Sequence, residues 1–274
     1  MAHRKEISTA LWKRIHPLIP VVPPSPKGGR PRVDDQSALN GIVYVLRTGI
    51  AWEDLPQELG YGSGMTCWRR LRDWQAAGVW HRLHQVLLAE LRRADRLDFS
   101  RASLDAASVA FPPGGAYTGP NPTDRGKRGS KRHVITDRHG VPLAFCVTGA
   151  NRHDSVVFEE RVDALPSIAG KPGRPRRWPD KLHADKAYDM DRCWNHLKRR
   201  GMTPRIARKG VERNDRLGRY RWGVERTHAW FAGMGKLRTR FERRIDIHLA
   251  LLSMACCVIC LRRLPEFCQP LLCA

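Results

Sequence analysis

Near residue 98 the spacing of apolar residues changes, and that change divides the chain into a helical first part and a mixed α/β second part. Before it, STALWKRIHPLI carries apolar positions at helical spacing and ends at Pro20. The Pro/Gly/basic stretch VVPPSPKGGRPR (21–32) can form neither helix nor central strand. Asp34 or Asp35 then caps a helix through SALNGIVYVLRTG, where Leu39, Ile42, Val43 and Leu46 make one apolar stripe and Gly49 stops it. Trp52, Leu55 and Leu59, a break at YGSGM, and TCWRRLRDWQAAG follow. In that last stretch Trp68, Leu71 and Trp74 share a face, with Arg69, Arg70 and Arg72 around the rest. Two short helices about a Gly-bearing turn, the second with exposed arginines, suit a helix-turn-helix that contacts DNA. An ordinary helical domain with solvated arginines suits the pattern equally.

After residue 98, FSRASLDAASVAF reads as a strand, and PPGGAYTGPNPTDRGKRGS as a loop. KRHVITDRHGVPLAFCVTGA reads as a β-hairpin turning at Asp137–Gly140, and Asp154 as the cap of a helix reaching about Leu165. GKPGRPRRWPDK is a second basic loop. DKLHADKAY is a strand ending in a turn, DRCWNHLKRRG a helix closed by Gly201, and TPRIARK a strand. GRYRWGVERTHAWFAGM and Ile245 to Leu264 are helices. The expected organisation is an all-helical domain over 1–95, an α/β domain over 96–265 and a tail over 266–274.

Forty-nine Lys and Arg against 27 Asp and Glu leave a formal charge of +22 on 274 residues, a balance that seeks a polyanion. The basic residues are spread along the chain, which favours nucleic acid over a membrane surface. The longest apolar run, Leu249 to Leu261, falls short of the roughly 20 residues a spanning helix needs. No signal-peptide core follows MAHRKEIS, so the expected location is cytoplasmic, at the nucleoid. Cys67, Cys146, Cys193 and Cys273 are scattered. Cys256, Cys257 and Cys260 lie inside an apolar helix without a second pair at zinc spacing, so buried free thiols are expected.

Three acids stand out by context. Asp105 lies within the apolar strand SLDAASVAF, Asp185 ends the strand after LHA, and Glu225 sits in a helix among Arg221, Trp222, Arg226 and Trp230. An acid in a core strand needs a partner or a metal. Magnesium takes hard oxygen ligands, and two ions about 4 Å apart need carboxylates converging from several elements. Each acid alone has a plainer account: an ion pair for Asp105, a turn cap for Asp185, a helix surface for Glu225.

These segments, taken together and in order, resemble a DDE transposase of a bacterial insertion sequence, of the insertion-sequence-five group. GGRPRVDD with LNGIVYVLRTGIAWEDLP resembles that family's N-terminal domain. SLDAASVA with DRGKRGSKRHVITDRHGVPLAF resembles its first catalytic strand and hairpin, LHADKAYD the second aspartate, and RYRWGVERTHAWFAG with LRTRFERR the glutamate helix. The likeness runs from about Ile7 to Leu264. It implies an RNase H-like mixed sheet flanked by helices, with Asp105, Asp185 and Glu225 as the catalytic and metal-holding triad. It also implies two Mg²⁺ ions, for which Mn²⁺ can substitute, and a homodimer acting on terminal inverted repeats and target DNA. Relatives carry a tyrosine three residues before the arginine of the glutamate helix and a lysine seven after the glutamate. Here Gly218 and Ala232 stand at those places, with Tyr220, Lys236 and Arg238 nearby.

Arg221, Trp222, Glu225 and His228 fall on one side of that helix. Arg221 suits a bidentate phosphate contact, with an ion pair to Glu225 as the alternative. His228, Trp222 and Trp230 are expected to pack in the interior. Arg125, Lys127, Arg128, Lys131 and Arg132 crowd the segment after the first catalytic strand and read as DNA-backbone contacts, as do Lys236 and Arg238 and, with less support, Arg174, Arg176 and Arg177. Two rivals stay open: a DNA-binding protein that has lost or never had catalysis, and a nuclease that cuts without joining.

Overall fold

The computed structural model describes residues 7–267 except 24, 25, 27, 28, 30 and 212–217. Part of the 21–32 loop and Cys273 therefore lie outside the described residues. Four helices lead: α1 (Thr9–Ile15), α2 (Asp35–Thr48), α3 (Gly64–Ala76) and α4 (Val79–Arg93). Asp34 is the cap of α2, its carboxylate accepting from the Ser37 amide at 2.9 Å, and Gly49 ends the helix at φ 82°. The short helix expected over 52–59 is only a 3-10 turn, Gln57–Leu59, so the true tight helix pair is α3–α4, joined through Gly78 at φ 71°.

Strands β1 (Ala102–Ala110), β2 (Gly119–Pro120), β3 (Arg128–Asp137), β4 (Pro142–Gly149), β5 (Lys181–Ala184) and β6 (Thr203–Ile206) form one sheet. Across it the order is β4-β3-β1-β5-β6, with β2 beside the start of β3. β4, β3 and β1 are antiparallel neighbours, whereas β5 and β6 run parallel to β1. That combination is the RNase H-like arrangement expected. The hairpin turn forms where its residues suggest: Asp137 Oδ1 accepts from the amides of His139 (2.9 Å) and Val141 (2.7 Å), and Gly140 takes φ 81°.

Among the described residues the later helices are α5 (Phe158–Asp163), α6 (Asp191–Arg199), α7 (Gly218–Gly233), α8 (Gly235–Arg238) and α9 (Ile245–Leu261). Asp154 is not a helix cap. His153 caps a 3-10 turn over Asp154–Val157, while Asp154 pairs with Lys131 at 2.7 Å. Helix α7 lies over β1, β3 and β5, and α9 packs on α3, α4 and β4. Cys256, Cys257 and Cys260 are buried in α9 as free thiols. No described helix is long and apolar enough to cross a membrane.

The core does not stop at residue 95. Buried residues of α2 to α4, the sheet and α9 form one contiguous apolar cluster. The junction is also polar: Lys236 Nζ donates to the Ile50 carbonyl at 3.0 Å, and Trp52 Nε1 to Glu242 at 2.9 Å. Gly49 and Gly235 meet so closely that a Cβ on Gly49 would lie 2.6 Å from the Gly235 carbonyl carbon.

Candidate active site

Side chains two apart along a strand share a face. On β1 this puts Ser103 and Asp105 under α7: Ser103 Oγ donates to the Tyr220 carbonyl at 3.2 Å, and Arg221 donates to Asp105 Oδ1 at 2.7 Å. β5 runs beside β1 with Ser103 level with His183, and Asp185, capping the turn that follows β5, stands near enough for its charge to act on Asp105. Glu225 lies one turn after Arg221, on the exposed side of α7. Two adjacent parallel strands and the helix across them thus bring the three acids to one corner of the sheet.

Electrostatics agrees with this geometry. Burial pushes the Asp105 carboxyl up to about 6; Arg221 opposes the rise, and the charges of Asp185 and Glu225 add to it. An all-oxygen donor set with mutual repulsion fits a hard divalent cation. Yet one oxygen of Asp105 is held by Arg221, and Asp185 Oδ1 accepts from the Ala187 amide at 2.9 Å. Among the described residues no three His, Cys, Asp or Glu side chains stand close enough together to hold a metal. The donors are hard oxygens, and one oxygen of Asp105 is taken by the Arg221 guanidinium.

Several other residues fall elsewhere than expected. Arg221 pairs with Asp105 rather than with Glu225. Trp222 is 40% exposed, because Arg226 is sandwiched between it and Trp230, with ring centroids at 4.3 and 4.6 Å. His228 does pack, edge-on against Phe231. Arg70, Arg132 and Lys236, expected at DNA, are buried and hold protein partners. Arg70 pairs with Asp35 and donates to the Val33 carbonyl, Arg132 donates to the Leu237 carbonyl, and Lys236 donates to the Ile50 carbonyl. Their stems run inward from amphipathic elements, which charge counting cannot detect. Lys131 is engaged by Asp154, Arg72 by Asp73, and Arg177 by the carbonyls of Leu165 and Asp163. Arg176 is held by Asp180 and lies over Phe99. Arg69, Arg125, Lys127, Arg128, Arg174 and Arg238 are exposed.

Sequence reasoning missed two buried groups. Arg240 is fully buried, donating to Ser130 Oγ at 2.7 Å and to the Ala116 carbonyl at 3.0 Å while lying over Phe111. Tyr188, three residues after Asp185, is 1% exposed and its hydroxyl has no partner. Burial makes the phenol a weaker acid and pushes its pKa well up, and the charges of Asp154, Asp105 and Asp185 add to this. The short LHADKAYD spacing was the available signal for Tyr188; Arg240 offered none.

Most of the chain has counterparts among known proteins. A profile described as "Putative transposase of IS4/5 family" matches residues 7–84, and one described as "Transposase DDE domain" matches residues 97–260. A Burkholderia cepacia protein, "Putative transposase for insertion sequence element IS402", is 50% identical over 143 residues, 52% of this chain and 68% of its own length. From the same organism, "Insertion element IS402 uncharacterized 16.2 kDa protein" is 54% identical over 120 residues, 42% of this chain and 80% of its own. The Mos1 transposase paired-end complex with left transposon end aligns with 94% of this chain and 90% of its own, at 10% identity and a TM-score of 0.27. The Mos1 strand transfer complex aligns with 92% and 85%, at 12% identity and 0.28. At such scores the fold class rests on the strand order and the matched profiles, not on these two structures.

Proposed function

This chain belongs to the transposase DDE-domain family, and from that premise we propose that Asp105, Asp185 and Glu225 are the carboxylates at which it cuts element ends and joins them to target DNA. One observation carries the assignment: Asp105 on β1 and Asp185, directly after the end of the neighbouring parallel strand β5, are near enough for the charge of one to act on the other, with the helix bearing Glu225 laid across both strands. Magnesium ions, or manganese in their place, would supply polarisation of the attacking water and of the leaving oxygen. The chain's own residues bind and orient. Asp105, Asp185 and Glu225 hold negative charge at one point of a strongly basic protein, so that a phosphate must approach between them and the surrounding cations. Arg221, now on Asp105, is the nearest guanidinium to a phosphate seated there. Cleavage leaves a 3′-hydroxyl, and the same carboxylates serve its attack on target DNA, because both steps are phosphoryl transfers.

The helical region over 1–95 contributes to holding the terminal inverted repeats, with Arg69 toward DNA, and residues 96–265 form the catalytic unit; the tail expected over 266–274 lies almost wholly outside the described residues. Joining two ends calls for two active sites, hence a homodimer on DNA, working at the nucleoid in the cytoplasm.

The test is cleavage of a labelled duplex carrying the element's terminal repeat, with Mg²⁺ and with Ca²⁺, by wild type and by Asp105→Ala, Asp185→Ala and Glu225→Ala. Cutting at the repeat boundary in Mg²⁺, lost in all three variants with end binding retained, supports the assignment. Robust cutting by Asp105→Ala refutes it. Strand transfer of a pre-cut end separates a transposase from a nuclease that only cuts.

A further inference from the structure

The face of the sheet that carries Asp105 and Asp185 continues back along both strands into a cationic and aromatic strip. Counting back by twos from the carboxylates, β1 is preceded by Arg101 after Ser103, and β5 passes through His183 to Lys181. Because Ala102 is level with Leu182, Arg101 is level with Lys181; on the edge strand β6, Arg205 pairs with His183. At the start of α7 the Tyr220 ring stacks on His183, with centroids 5.2 Å apart and planes 26° apart, and Arg101 lies 5.3 Å from the same ring. Tyr220 is 43% exposed, and Lys181 and Arg205 face solvent.

Among the described residues the carboxylates closest in sequence are shared with other cations: Asp98, whose charge reaches Arg101, also pairs with Arg138 and His139, and Asp180 pairs with Arg176. The buried Arg101 Nε has no hydrogen-bond partner. Four residues of strand separate Arg101 and Lys181 from Asp105 and Asp185, about 13 Å at 3.3 Å per residue. Along one strand of B-DNA that is about four nucleotides at 3.4 Å each.

We propose that Lys181, Arg205 and Arg101 bind the phosphodiester backbone of the DNA strand entering the carboxylate site, about four nucleotides from the scissile phosphate, with the Tyr220–His183 pair as a surface for a base. The proposal rests on the catalytic reading above. Backbone contacts of this kind carry no sequence information and set register, so the strip would position an end rather than recognise it. The aromatic pair is sequence-tolerant for the same reason that base stacking is.

The experiment is fluorescence anisotropy in Ca²⁺, across a salt series, with a duplex carrying the terminal sequence of the element that encodes this chain. Lys181→Gln with Arg205→Gln changes two exposed residues, and an unchanged thermal midpoint checks the fold. The double variant is expected to lower the log–log salt slope by about 2. Tyr220→Leu is expected to weaken binding while Tyr220→Phe does not. Phosphate-ethylation interference in wild type is expected to include a position about four nucleotides from the cut and to lose it in the double variant. A double variant with the wild-type slope and interference pattern overturns the strip, while wild-type cutting leaves the catalytic reading standing. A wild type that neither binds nor cuts this duplex overturns both.

Discussion

Arg221 of α7 and Asp105 of β1 form an ion pair at 2.7 Å, with 13% and 16% of their side chains exposed. It ties the helix to the strand across which the candidate active site is built. A half-broken buried pair leaves one charge without compensation, whereas removing both charges relieves the cost. Arg221→Gln and Asp105→Asn are each expected to lose about 1–3 kcal/mol in urea unfolding, with the double variant regaining a large part of the sum. Strict additivity would show that the pair contributes nothing to holding α7 in place.

Acid is expected to destabilise the fold through buried histidines. His84 donates from Nε2 to the Pro142 carbonyl at 2.9 Å, and burial brings it down from 6.5 to about 4. The folded state therefore prefers neutral His84. Its contribution is complete above pH 6.5 and is lost as pH falls from 6.5 toward 4, where the unfolded chain takes up the proton first, by about 3 kcal/mol in all. His84→Gln keeps a donor for Pro142 without the titration. Its urea midpoint is expected to fall less steeply than wild type between pH 6.5 and 4; parallel curves would disprove the account.

Burial separates two kinds of basic residue. Arg70→Gln and Lys236→Gln remove protein-facing cations, so each is expected to lower stability by about 1–3 kcal/mol and to leave the salt slope of DNA binding unchanged. Arg125→Gln, Lys127→Gln and Arg238→Gln alter exposed residues and are expected to reduce that slope by about 1 each at unchanged stability. The opposite pattern would place the DNA track elsewhere.

Gly140 couples the hairpin to α7, the helix that bears Glu225. It sits at φ 81°, and a Cβ there would come 2.6 Å from the Gly223 carbonyl oxygen of α7, while Thr227 Oγ1 donates to the Gly140 carbonyl at 2.6 Å. Gly140→Ala is expected to lose at least about 2 kcal/mol through the left-handed backbone and the clash. It should also reduce cleavage in protein that remains folded, because the displaced segment of α7 lies next to Glu225. Unimpaired cleavage would mean that α7 tolerates displacement at this turn.

Much of the outline was readable in the residues. The Asp34 cap and the Gly49 stop of α2, the hairpin turning at Asp137–Gly140 and the thiols of α9 follow from local rules, because a cap, a left-handed glycine and an apolar run act within a few residues of themselves. The three acids were legible as exceptions: carboxylates in or beside apolar segments, in the order of a known family. The helix expected over 52–59 and the cap expected at Asp154 failed for one physical reason. The side chains there satisfy partners distant in sequence, Glu242 for Trp52 and Lys131 for Asp154, and such contacts outweigh local propensity.

By itself, then, the sequence determined most of the elements and their order, since these depend on period and turn chemistry. Only the tertiary structure decided which charges face out. Arg70, Arg132, Lys236 and Arg240 read as four more cations in a basic chain, and each is spent inside on carbonyls or an ion pair. Lys181, Arg205 and Tyr220, unremarkable along the chain, meet beside β1 because parallel pairing of β5 with β1 and β6 brings the two cations there and the Tyr220 ring stacks on His183. Long side chains can bury their stems and turn their charges either way, and the direction is chosen by packing between segments far apart in the chain.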